Sequence, residues 1–99
     1  MMTFTTPAAG ELFRHIDGGL YQFRMRVRHS DDQAPLFVYE HLWPFDTVGD
    51  PWARPAHEWA TRFTRITRED LEQAMKQDRT KAQEAVTEAK AKRRAAAGK

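Results

Sequence analysis

The stretch Leu20-Tyr21-Gln22-Phe23-Arg24-Met25-Arg26-Val27-Arg28 alternates apolar and polar side chains from end to end. Successive side chains of an extended chain leave opposite faces, so Tyr21, Phe23, Met25 and Val27 fall on one face and Gln22, Arg24, Arg26 and Arg28 on the other. A period of two is that of a half-buried strand and not of a helix. Just before it, Asp17-Gly18-Gly19 is a turn signal, because glycine enters positive φ without steric cost. The mixed run Glu11 to Ile16 on the far side of that turn therefore reads as the partner strand of a hairpin.

Working outward from the hairpin, residues 1–9 are small and polar with Pro7 and read as a loose leader, and Gly10 starts the structured part. His29 to Pro35 is polar, and Leu36 to Trp43, rich in aromatic and β-branched residues, predicts a second long antiparallel strand. Pro44 to Pro51 reads as a loop. Trp52-Ala53-Arg54 is held extended by Pro55, since a residue before proline is pushed out of the α region. Ala56 to Trp59 fits one helical turn, and the alternation of Thr61 to Ile66 fits a last short strand. Thr67 with Asp70 three residues on marks a helix start, and no proline or glycine interrupts the sequence from there to Ala97. Leu71 and Met75 can dock that helix, whereas only Ala82, Ala85, Val86 and Ala89 follow, so its second half is expected to project into solvent and fray. The fold class is mainly β with a C-terminal helix (α+β): a small SH3-like open barrel or a twisted antiparallel sheet. The expected parts are a leader over 1–9, a β-rich domain over 10–66 and a charged helix over 67–99.

Composition narrows the function classes. The chain has 99 residues, which favours one domain, and no cysteine, which removes disulfides, thiolate catalysis and cysteine zinc sites together. No stretch approaches the roughly 18 apolar residues of a membrane span, and the N-terminus lacks the basic and apolar regions of a signal peptide, so a cytoplasmic location is expected. Residues 1–66 carry seven Lys/Arg against eight Asp/Glu, and residues 67–99 carry nine against six. The basic excess therefore belongs to the tail, where Lys90, Lys92, Arg93, Arg94 and Lys99 face no acid.

Phe13-Arg14-His15, Gly18-Gly19-Leu20-Tyr21, Val27-Arg28-His29-Ser30, Val38-Tyr39 and then Trp52, Arg54, Pro55 and Trp59 together resemble a family of small bacterial and phage proteins known only as a domain of unknown function, DUF1653. The resemblance covers about residues 10–66 and implies a small β-rich module with no assigned activity. The chain departs from the family pattern after Ser30, where a turn that usually holds a glycine reads Asp31-Asp32-Gln33-Ala34.

Three groups of residues carry chemistry. Arg24, Arg26 and Arg28, spaced by about 6.6–6.8 Å on one strand face, suit successive phosphates of a nucleic acid, or equally pair with Glu40, Glu11 or Asp17 across the sheet. Trp52 and Arg54 alternate around Ala53 and so leave the same face, where ring and guanidinium can clamp a planar anion, with Tyr39 or His15 completing the wall. Trp43 and Trp59 are read as core. The basic run including Lys92, Arg93 and Arg94 suits a nucleic-acid arm or simply a solvated helix end. His15, His29, His41 and His57 have no metal-ligand spacing, and no metal, cofactor or catalytic residue is expected. The expectation is a non-enzymatic module for nucleic acid or a nucleotide. The alternative is a protein-interaction or assembly module using the C-terminal helix, with oligomerisation through Met75, Ala82 and Ala89.

Overall fold

A computed structural model describes residues 5–97 of the chain. Residues 1–4 of the expected leader, and Lys99 of the basic tail, lie outside the described residues. The strands are β1 Leu12–His15, β2 Leu20–Arg28, β3 Pro35–Trp43, β4 Trp52–Pro55 and β5 Phe63–Ile66. A 3-10 turn Ala56–Glu58 and the short helix α1 Trp59–Arg62 separate β4 from β5, and α2 Arg68–Met75 and α3 Arg79–Ala97 complete the chain. All strand pairs are antiparallel, in the order β4-β3-β2-β1-β5. The α+β class read from the sequence is the observed one, as an open sheet in which β4 and β5 are the two edges.

The sheet buries both faces. On one, Phe13, Tyr21, Phe23, Phe37, Tyr39 and Phe63 meet Ala56 and Trp59 of the β4–β5 connection, an aromatic cluster. On the other, Leu12, Leu20, Trp43 and Ile66 meet Leu71 of α2, with Leu42, Ala74 and Ala82 partly buried against them. Each buried aromatic ring removes about 150–250 Å² from water, on the order of 4–6 kcal/mol at ~25 cal/mol/Å² before entropy is charged against it.

The alternation along β2 does not run through unbroken. Phe23 stands opposite Tyr39, yet Met25 stands opposite Val38, so Arg24 is the extra residue of a β-bulge. One extra residue inverts every facing after it. Arg26 comes opposite Phe37 and Arg28 opposite Pro35, which puts both on the aromatic face, and Met25 turns out to solvent, 52% exposed. Arg24 stays on the opposite face, where its Nε lies 3.3 Å from Oε1 of the buried Glu40. The expected single face bearing Arg24, Arg26 and Arg28 is therefore not formed.

The C-terminal segment also differs from the continuous, projecting helix expected. Thr67 caps α2 as read, its Oγ1 accepting from the Asp70 amide at 3.1 Å while the Asp70 carboxylate accepts from the Thr67 amide at 2.9 Å. The helix stops at Met75, and Asp78 opens a second one, its Oδ1 accepting from the Lys81 amide at 3.0 Å. An aspartate competes for backbone donors as well as any turn former, so a helix can break without proline or glycine. The break lets α3 return over the sheet: Val86 is buried, and the carboxylate of Asp17 in the β1–β2 turn takes two hydrogen bonds of 2.9 Å from the Arg93 guanidinium.

Candidate functional site

The β1–β2 turn, the C-terminal half of β3 and the edge strand β4 meet on the aromatic face. Trp52 stands opposite Tyr39, with ring centroids 6.2 Å apart and planes at 81°. It is 39% exposed, against 7% for Trp43 and 5% for Trp59, which separates one surface tryptophan from two core ones. Arg54 shares its face: its Nε donates to the Tyr39 Oη at 3.3 Å, its Nη1 donates to Glu58 Oε1 at 3.0 Å, and its guanidinium carbon lies 5.9 Å from the Phe63 ring centre. His15 lies opposite Phe63, edge to face at 4.9 Å, and 6.1 Å from the Tyr21 ring. The fold thus brings His15, Tyr39, Trp52 and Arg54 to one cluster, joined through Tyr21 and Phe63.

Two further members were not singled out from the sequence. His41, opposite Tyr21 and 4.4 Å from its ring, lies nearly parallel to Trp52 at 6.3 Å and is 1% exposed. It could have been found as the residue two beyond Tyr39 on the same strand face. Gly19 makes room for it: a Cβ there would stand 2.8 Å from His41 Nε2 and 3.1 Å from Tyr21 Cε1, too close to tolerate. Tyr21, the second, is what the alternation of β2 already places inward.

The polar atoms of this cluster are incompletely satisfied. His15 Nδ1 accepts the Asp17 amide at 3.1 Å, so its proton sits on Nε2, which has no partner. Neither ring nitrogen of His41 makes a hydrogen bond of good geometry, although the Trp43 backbone interacts with the ring closely enough to oppose the lowering of its pKa. Burial holds both imidazoles neutral, lowering each pKa to about 4; Asp17 opposes this at His15, while Arg54, Arg93 and Arg62 add to it. Burial also pushes the Tyr21 phenol up to about 12, so it remains protonated. The Arg93 guanidinium keeps the Asp17 carboxyl below the usual carboxylate range. The cluster offers an exposed ring, neutral N–H donors and guanidinium groups, a set suited to holding a planar or anionic ligand.

The other sequence candidates lie elsewhere. Lys92 pairs with Glu88 at 3.1 Å on the exposed side of α3, Arg94 is exposed, and Arg93 is turned inward to Asp17. Arg26 donates to Thr6 Oγ1 at 3.4 Å. Among the described residues no three His, Cys, Asp or Glu side chains converge as metal ligands, and no helix is long and apolar enough to cross a membrane.

Comparison with curated proteins and with solved structures finds no match. The segment that spans the whole sheet and ends at the first docked residue of α2 does have a counterpart: residues 11–71 match the model of the family described as protein of unknown function DUF1653, and the chain belongs to that family.

Proposed function

We propose that the protein is a non-enzymatic binding module whose β3–β4 edge takes a planar anionic ligand, a nucleotide or an unstacked base of a nucleic-acid strand. The observation that carries this reading is the half-exposed ring of Trp52, supported from below by Tyr39 and flanked on the same face by Arg54. A ring held rigid on one side and open on the other is a stacking platform, worth about 1–3 kcal/mol per stacked base. For a longer strand, Arg26 and Arg28 on the same sheet face, and Lys92 and Arg94 on α3, are the remaining cations. The cysteine-free composition suits a reducing compartment such as a cytoplasm, where such ligands are abundant.

Docking of a protein on the C-terminal helix finds less support, because Ala82 of the Met75, Ala82 and Ala89 series is partly buried against the sheet beside the buried Val86, which leaves Met75 as the exposed large apolar side chain of the series. The test is tryptophan fluorescence of the full chain at about 50 mM salt against a panel of nucleotides and a single-stranded oligonucleotide. Quenching that weakens as salt rises, and that Trp52→Ala removes while the chain stays folded, is the expected result. No quenching by any member of the panel would end the reading.

A further inference from the structure

We infer that His15, Arg54 and Arg62 form an oxyanion subsite beside Trp52, so that the ligand is a phosphorylated one. The inference rests on the Trp52 reading for the ligand's ring and on separate atoms for its charge. His15 is 6% exposed, and its Nδ1 is already an acceptor, so its Nε2–H is a buried donor that lacks an acceptor. Buried donors in native proteins are almost always satisfied, and those that are not mark a place for a water, an ion or a ligand.

The charges around this donor select among those. His15 and Arg54 both pack on the Phe63 ring, at 4.9 and 5.9 Å, and the Arg62 carbonyl accepts from the Ile16 amide at 2.9 Å. The imidazole therefore feels both guanidinium groups, and Arg93 from α3, against Asp17, whose Oδ2 lies 3.4 Å from Nδ1. Arg93 and Asp17 are consumed by each other. Glu58 alone serves the remaining two, 3.0 Å from Arg54 and 3.9 Å from Arg62, and its side chain is 34% exposed. Glu58 is a single, partly exposed carboxylate shared by two guanidinium groups, and it leaves His15 Nε2 without an acceptor. A water would satisfy the Nε2–H but leave the cationic excess, whereas a phosphate accepts from the imidazole and from guanidinium groups on two different elements at once. Arg54 also bonds to Tyr39, the support of Trp52, which ties the charged half of the site to the stacking half.

The experiment follows the imidazole 15N resonances of the full chain during titration with adenosine 5′-monophosphate, adenosine or inorganic phosphate, with fluorescence quenching in parallel. The exposed His29, in the turn between β2 and β3, is the internal reference. The monophosphate and inorganic phosphate are expected to move the His15 Nε2 signal, and adenosine to leave it in place. The monophosphate should bind about tenfold tighter than adenosine, the effect of one charge-assisted hydrogen bond. Because a buried His15 variant risks unfolding, Glu58→Gln at the rim is the second probe, and it should tighten monophosphate binding by freeing Arg54 and Arg62. If adenosine and its monophosphate quench equally and His15 does not respond, the subsite is overturned and the stacking reading stands. If inorganic phosphate moves His15 while no compound quenches, the subsite stands and the stacking reading falls. If neither signal responds, both fall.

Discussion

The two faces of the sheet are finished in different ways. The face under α2 and α3 is closed by aliphatic side chains around Trp43, with Arg79 over the Trp43 ring at 5.4 Å and the Arg93–Asp17 pair at its margin. The other face is closed, among the described residues, by the 3-10 turn and α1 with Thr5 to Pro7 beside them, over rings that meet edge to face: Phe23 and Phe37 at 5.3 Å, Phe13 and Trp59 at 5.1 Å. Four of the five buried side-chain nitrogen and oxygen atoms without a partner among the described residues belong to this aromatic face, three of them in His15 and His41. Three of these four are donors and one nitrogen of the neutral His41 is an acceptor, and each unpaired buried group costs about 1–3 kcal/mol. The helical face is closed by aliphatic packing, and the aromatic face carries the proposed site.

Acid should separate the two faces most strongly. His15 and His41 titrate near 4 in the folded protein and near 6.5 when unfolded. Between those values the unfolded chain takes up protons that the folded chain refuses, so stability is full above about pH 6.5 and falls as pH drops toward 4, by on the order of 3 kcal/mol for each histidine. The Asp17 contribution, with its carboxyl held low by Arg93, is lost only below the ordinary carboxylate range. Denaturant midpoints measured from pH 7.5 to 4 check this. A profile flat down to pH 4.5 would mean that the two imidazoles are not buried in neutral form.

Next in size is the contrast between two tryptophans of one face. Trp59 stacks on Phe63 at 3.9 Å and 12° and touches Phe13, Phe23, Phe37 and Tyr39, so Trp59→Ala should cost about 3–5 kcal/mol. Trp52→Ala at the half-exposed edge should cost about 1–2 kcal/mol, in proportion to the smaller area lost. Equal losses in chemical denaturation would place Trp52 in the core and remove the distinction on which the site rests. On the helical face, Arg93→Ala breaks two charge-assisted hydrogen bonds and leaves Asp17 buried, for a loss of about 1.5–3 kcal/mol at neutral pH. It also removes a cation that holds the His15 pKa down, so the acid loss contributed by His15 should shrink.

Much of this arrangement was legible in the sequence, and the parts that were not share a cause. The Asp17-Gly18-Gly19 turn, the two long strands and the Thr67 cap are local features, decided by a few neighbouring residues, and they stand where local chemistry puts them. Trp52 and Arg54 could be placed together because alternation around Ala53 needs only an extended backbone, which Pro55 enforces. The bulge at Arg24 could not, because nothing in a period of two marks the residue that will be skipped; the choice is made by pairing with β3. The same holds for the helix break at Asp78, which becomes favourable only because Val86 and Arg93 then reach Gly18 and Asp17, and for His41, whose importance comes from burial against Tyr21 and Gly19.

The smallest expected effect tests a segment that belongs to neither face. In the turn between β2 and β3, Gln33 has φ 60°, and the turn is held by hydrogen bonds from the Gln33 amide to the His29 carbonyl and from the His29 amide to the Ala34 carbonyl, both 2.9 Å. A side chain at this positive φ strains the left-handed backbone by about 1–2 kcal/mol. Glycine removes that strain but adds freedom to the unfolded chain, worth about 0.5–1 kcal/mol in the opposite sense. Gln33→Gly should therefore stabilise by about 0.5–1 kcal/mol, a rise of roughly 2–8 °C in melting temperature for a domain of this size. The melting temperature at pH 7.5 checks this, and a fall instead of a rise would mean that the Gln33 side chain contributes more to the turn than its strained backbone costs.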